Sequence, residues 1–186
     1  MNDPALAFDD QPVLNGPDLM LRPMVAADHD ALFAAAANPR IWAGHPASDR
    51  YRPEVFGPYF AALLEGGGTL VVIERKGGRM IGCSRYYTVA ERPGAIAIGY
   101  TFLNDAWWGG HANFEMKRLM IDHAFARFPE VWFDIAPDNI RSQKATGKLG
   151  AEFAGEAVLT LGGKPTAMKC YRLTPSAWAR TCAERN

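Results

Sequence analysis

The segment from Gly94 to Ala136 constrains the fold most tightly. Gly94–Leu103 (GAIAIGYTFL) reads as a buried strand. His111–Phe128 reads as a helix, with Met116, Leu119, Met120, His123 and Ala124 near one stripe. Val131–Ala136 is short and apolar and reads as a second strand. Two strands joined through a helix must run parallel and cross over right-handed, so an α/β domain is implied. Gly99 sits in the middle of the first strand, where glycine marks a bulge or a close approach of another backbone or a ligand.

Hairpins and helices flank this unit. Asp18–Pro23 reads as a short strand stopped by its proline, and Asp28–Ala37 as a helix ended by Asn38-Pro39. Residues 38–53 read as a long loop holding Trp42 and His45, and long loops in compact domains are often functional. Glu54–Glu65 reads as a helix closed by three glycines. Thr69–Arg75 and Met80–Val89 form a hairpin across Lys76–Arg79. Asn139–Leu149 reads as a capped helix stopped at Gly150. A last hairpin, 151–161 with 165–173, precedes a terminal helix opened by Pro175. The expected architecture is a single domain over residues 18–186 behind a loose arm over residues 1–17. Its core is a mixed sheet of six or seven strands with helices on both faces.

Charge and cysteine content narrow the function classes. Lys and Arg total 20 against 20 Asp and Glu, so the chain lacks the basic surplus expected of a nucleic-acid binder. Cys83, Cys170 and Cys182 are too widely spaced for a zinc site, and the four histidines show no metal-ligand spacing. No leader-like or membrane-spanning segment is read, so a cytoplasmic protein with no membrane partner and no metal is expected. A homodimer is left open. Neither GxxxxGK[ST] nor GxGxxG is present, which disfavours a nucleotide-binding α/β domain.

Two segments carry chemistry. The first is the turn from strand to helix, Leu103-Asn-Asp-Ala-Trp-Trp108-Gly109-Gly110-His111-Ala112-Asn113. Small residues and exposed N–H groups at a helix start make an anion cradle. The second is Asn139-Ile-Arg-Ser142, where an asparagine cap precedes Ser142 and Thr146 on one helical face.

Taken in order, three motifs resemble the GNAT N-acetyltransferases, in particular the branch with ribosomal-protein N-terminal acetyltransferases. They are Leu21-Arg22-Pro23 before a helix; Ile98-Gly99-Tyr100 leading to Trp108-Gly109 and Asn113-x-Glu115-x-Lys117; and Asn139-x-x-Ser142 leading to Lys148-Leu149-Gly150-Ala151. The resemblance covers residues 18–180. It implies a splayed parallel strand pair that holds acetyl-CoA. It further implies that the strand end at Thr101, Phe102 and Leu103 pairs with the pantetheine arm. Backbone N–H groups of Gly109, Gly110, His111, Ala112 and Asn113, next to Trp108 in the cofactor-binding turn, would hold the pyrophosphate, and Asn139 and Ser142 would face the coenzyme. The implied reaction is direct attack of a neutral amine on the thioester.

Three positions depart from the family pattern. Ala97 stands where a glutamate base is frequent, His111 where the phosphate loop has glycine, and Thr146 where many members carry a tyrosine acid. Ser142 is then the nearest hydroxyl candidate for the acid, or a coenzyme contact. Tyr86 is a candidate for catalysis and acceptor binding, and Trp42 and His45 are candidates to line the acceptor pocket. Glu115 is read as structural. An acetyltransferase acting on a primary amine is the expected function; a coenzyme-binding module without turnover is the alternative.

Overall fold

The structure, a computed structural model, describes residues 8–185. Residues 1–7 of the expected arm lie outside the described residues. Among the described residues, eight strands form one sheet in the order β1-β2-β3-β4-β5-β6-β8-β7. They are β1 (Leu14–Asn15), β2 (Leu19–Pro23), β3 (Thr69–Glu74), β4 (Met80–Tyr87), β5 (Ile96–Leu103), β6 (Val131–Ile135), β7 (Glu152–Leu161) and β8 (Lys164–Leu173). The strand beyond the expected count is β1. It pairs Leu14 with Leu21, so the C-terminal end of the proline-bearing stretch joins the sheet edge. Every neighbouring pair is antiparallel except β5 with β6, which is parallel as the crossover helix requires.

The helices are α1 (His29–Ala36), α2 (Pro39–Trp42), α3 (Pro53–Glu65), α4 (Ala112–Phe125), α5 (Ile140–Gly147) and α6 (Pro175–Ala183). The short α2 lies inside the expected long loop: Asn38 caps it through the Arg40 N–H and Pro39 occupies its first turn, so the Asn-Pro that ends α1 also starts the next turn. One face of the sheet packs α4 and α6 through Leu19, Leu21, Ile96, Ile98, Met116, Met120 and Trp178. The opposite face packs the α1–α3 layer through Leu32, Trp42, Phe56, Val71, Cys83 and Phe102.

The opening Leu-Arg-Pro motif has a physical reason. The Arg22 guanidinium donates at 2.8 and 2.7 Å to both oxygens of Asp28, which also accepts the Val25 N–H. That fork ties the end of β2 to the start of α1. The Arg22 contact holds the Asp28 carboxyl below its ordinary range.

Candidate functional site

The site begins where β5 leaves its neighbours. It pairs with β6 only at Ile96–Val131 and Ala97–Trp132, and beyond that the strands diverge. On its other side, Cys83 opposes Phe102 and Arg85 opposes Gly99, so Tyr100 and Thr101 together face Ser84. This is a β-bulge, and Tyr100 adopts φ 51°. A non-glycine residue there costs about 1–2 kcal/mol, a strain found at functional positions. The Tyr100 carbonyl turns out of the ladder toward the Tyr59 hydroxyl (3.5 Å) and the Cys83 thiol (3.7 Å). The bulge moves the pattern to the other face. Ile96 and Ile98 pack under α4, whereas Tyr100 and Phe102 pack on the α1–α3 side. Gly99 lies close against a side chain: an added Cβ would lie 2.9 Å from the Tyr87 ring.

Two helix starts border the divergence. Before α4, Gly109 has φ 76°, and Gly109, Gly110 and His111 are exposed. The Trp108 indole donates to the Leu103 carbonyl (3.0 Å) and carries the Arg141 guanidinium 4.6 Å above its ring, which fixes this loop against β5. Arg141 also donates to the carbonyls of Arg40 and Ile41, tying α5 to α2. Before α5, the Asn139 side chain accepts the Ser142 N–H (3.2 Å), a cap contributing about 1 kcal/mol.

Lys117 lies between the splayed strands. It is 6% exposed, and its Nζ donates to Thr101 Oγ1 (2.7 Å) and Ser84 Oγ (3.2 Å) while sitting 5.8 Å from the Phe133 ring centroid. Burial pulls its ammonium down to about 7. Among the described residues no carboxylate pairs with it.

A family model for the acetyltransferase (GNAT) domain matches residues 18–152, most of the chain. The chain belongs to the GNAT acetyltransferases. A search of curated proteins returned no match. Solved GNAT-type structures share the fold at low identity. A GCN5-related N-acetyltransferase from Brucella melitensis superimposes with TM-score 0.78 at 17% identity, over 94% of this chain and 84% of that one. Mycobacterium smegmatis RimJ in complex with CoA-disulfide gives TM-score 0.63 at 17% identity, over 94% and 93%. An acetyltransferase from Agrobacterium tumefaciens gives TM-score 0.63 at 24% identity, over 90% and 96%.

In this GNAT chain several expected site residues converge. Thr101, Trp108, Gly109, Gly110 and His111 lie on the exposed edge of the β5–α4 turn, and Asn139 and Ser142 are half-buried at the start of α5. Ala112 opens α4 buried, with Asn113 half-buried beside it. The side chains of Phe102 and Leu103 lie in the core. Phe102 packs 5.1 Å from Trp42, and Leu103 points under α4.

Tyr86 is a buried anchor. It is 1% exposed on the α4 face, and its hydroxyl donates to the Met120 carbonyl at 2.7 Å. It secures α4 to the sheet. Trp42 is likewise 2% exposed; its indole donates to the Ala36 carbonyl, so it anchors the loop rather than facing a substrate.

His45 is half-buried in the loop after α2, 5.7 Å from Trp42, accepting the Ala47 N–H. Burial, then the charges of Arg50 and Arg141, pushes it down to about 4. A group that the unfolded chain protonates more readily loses folding free energy as pH falls from 6.5 toward 4. Replacing His45 with Gln should therefore flatten the pH dependence of the melting temperature in that window, checked by calorimetry; an unchanged slope would mean His45 is protonated in the fold.

His111 pairs with Asp18 at 2.8 Å, and Glu115 Oε1 accepts the backbone N–H groups of Asp18 and Leu19. These three residues bring ligand-type atoms within 4.8 Å, a grouping that histidine spacing does not reveal. We read the trio as a clamp between α4 and β2, consistent with the structural role expected of Glu115. No helix among the described residues is long and apolar enough to cross a membrane.

Lys117 and Tyr100 stand in the sequence motifs, but sequence reasoning gave neither a role. A signal existed for Lys117: it shares a helical face with Ile121 beside the Met116–Met120 stripe, so it is a lysine on the buried side of its helix.

Proposed function

We propose that the chain moves an acetyl group from acetyl-CoA to a primary amine, with an α-amino group as the favoured acceptor. The observation that carries the reading is the junction of the β5–β6 divergence with the Tyr100–Thr101 bulge, bordered by two helix starts. The unpaired edge of β5 offers backbone groups for the amides of a pantetheine arm. The exposed Gly109–His111 turn offers N–H groups and the positive end of α4 for a pyrophosphate. Asn139 and Ser142 border the same opening from α5. The enzyme's contribution is then proximity and a partly desolvated thioester.

The preference among amines follows from charge. Ala97 is 2% exposed where a carboxylate base is frequent in the family, and a methyl group accepts no proton. An amine that is neutral unaided is therefore favoured, and an α-amino group near pKa ~8 is deprotonated far more often at neutral pH than a lysine near ~10.4. The absence of a carboxylate at Ala97 also favours a second reading, a coenzyme-binding module without turnover; acetyl-CoA binding with no product from any amine would select it.

Gly110 tests the cradle. It has open space around its Cα and no left-handed φ, so a side chain there leaves the fold intact. Gly110→Phe should weaken acetyl-CoA binding about tenfold, the loss of roughly 1.4 kcal/mol of anion contact, by calorimetry. Wild-type affinity would place the pyrophosphate elsewhere.

A further inference from the structure

Lys117 is a buried cation to which the sequence motif gave no role. Its nitrogen sits beside the two strands that part: it donates to Thr101, four residues past the last paired residue of β5, and lies 5.8 Å from the ring centroid of Phe133, one past that of β6. Thr101 is exposed to the opening, whereas Lys117 behind it is buried. Ser84 Oγ, 2.7 Å from Thr101 Oγ1, closes a three-membered polar cluster in an otherwise apolar layer.

We propose that Thr101 protonates the departing coenzyme A thiolate and that Lys117 is the proton source behind it. The inference rests on the acetyl-transfer reading above. The acceptor nitrogen forms a C–N bond to the acetyl carbon, and the C–S bond breaks with its electron pair on sulfur. The Thr101 hydroxyl gives its proton to sulfur and takes one from the Lys117 ammonium. The neutral amine left on Lys117 regains a proton from solvent, balancing the one that the acceptor nitrogen releases. Thr146, in the position of the usual tyrosine acid, is 5% exposed and packed in α5. The Ser142 hydroxyl has no donor behind it among the described residues.

The groups facing Lys117 suit this role. From β4 comes the Ser84 hydroxyl, from β5 Thr101 and from β6 the Phe133 ring; the Cys83 thiol lies on the opposite sheet face, and burial raises it to about 12 and so keeps it protonated. Glu115 on the same helix is held by the β2 backbone, and Asp134 on β6 is held on the other sheet face by Arg92. With no neighbouring carboxylate to pin its charge, Lys117 releases a proton near neutral pH. It must be protonated to act, so kcat/KM should decline above a pH of about 7.

The experiment compares wild type with Lys117→Met, Lys117→Arg and Thr101→Val. With acetyl-CoA and an α-amine, each variant should lose about 100-fold in kcat, a general-acid effect, with little change in KM for acetyl-CoA. The alkaline limb should vanish in Lys117→Arg, whose proton does not transfer. The double variant Lys117→Met/Thr101→Val should be no slower than either single one. A purely structural lysine predicts instead that Lys117→Arg restores kcat. Independently of turnover, coenzyme A itself is titrated in the binary complex by thiolate absorbance. The bound thiol should hold its proton about tenfold less tightly in wild type than in Lys117→Met. Equal thiol titration, or kcat preserved in Lys117→Arg with the limb intact, overturns the proposal. Absent wild-type turnover instead sinks the acetyl-transfer reading, and the thiol titration still decides whether Lys117 and the coenzyme share protons.

Discussion

Replacing Asp134 with Ala is expected to lower stability by about 3–5 kcal/mol, because it removes one partner of a buried ion pair. The Asp134 side chain is fully buried and Arg92 is 17% exposed, with the two joined at 2.7 Å. The same carboxylate accepts the Tyr87 hydroxyl at 3.1 Å. Arg92 is stacked 4.0 Å over the Trp132 ring and cannot swing to solvent without uncovering it. The variant therefore leaves a guanidinium and a phenol without their acceptor. For a chain of this size each kcal/mol is worth roughly 2–4 °C, so the melting temperature should fall by about 6–20 °C. The double change Asp134→Leu/Arg92→Met should recover much of the loss, since apolar pairs of similar volume often replace buried ions without cost. Melting within a few degrees of wild type for Asp134→Ala would show that water already reaches this pair.

Deleting Tyr100 is expected to abolish coenzyme binding while leaving the sheet folded. The bulge places Gly99 and Tyr100 on one side, so excision of Tyr100 returns β5 to plain alternation. Ile98, Thr101 and Leu103 keep their places, and Thr101 meets Ser84 one to one. The deletion relieves about 1–2 kcal/mol of left-handed strain and forfeits the Tyr100 ring contacts with Arg85 and Tyr87. Stability should change little. The loss falls on the opening: a straightened β5 can pair further along β6 and close the gap. Acetyl-CoA affinity should drop by about 100-fold or more, equivalent to about 2.7 kcal/mol. Calorimetry beside a melting curve reads both. A folded deletion variant with wild-type affinity would mean the bulge does not shape the coenzyme site.

Much of this fold was legible because its signals are local. The helical stripe of α4 between two apolar runs required the parallel β5–β6 pair, and glycine turns announced both hairpins. The cap at Asn139 and the small-residue turn at Gly109–Gly110 were equally readable, since each serves the backbone beside it. The misses depend on pairing across the sheet. In Ile96-Ala-Ile-Gly-Tyr-Thr-Phe-Leu, period-two reading sets Tyr100 and Phe102 on the face of Ile98, and only the register against β4 shows the switch. Tyr86 and Tyr87 alternate by the same rule, yet which one faces α4 is decided by long-range packing. Tyr86 therefore became a core anchor bonded to Met120 rather than a site residue. Trp42 followed the same course. The two-residue β1 is too short to carry a period at all.

The central claim is acetyl transfer from acetyl-CoA to an amine, and the most direct measurement is product mass. The full chain is incubated with acetyl-CoA and, in parallel, peptides whose reactive amine is the α-amino group or a lysine side chain, across neutral to alkaline pH. Mass spectrometry should show one added acetyl group on the α-amine, one free coenzyme A thiol per product, and slower reaction of the lysine peptide. Acetyl-CoA bound tightly with neither peptide nor small amine acetylated would contradict the account and leave a coenzyme-binding module in its place.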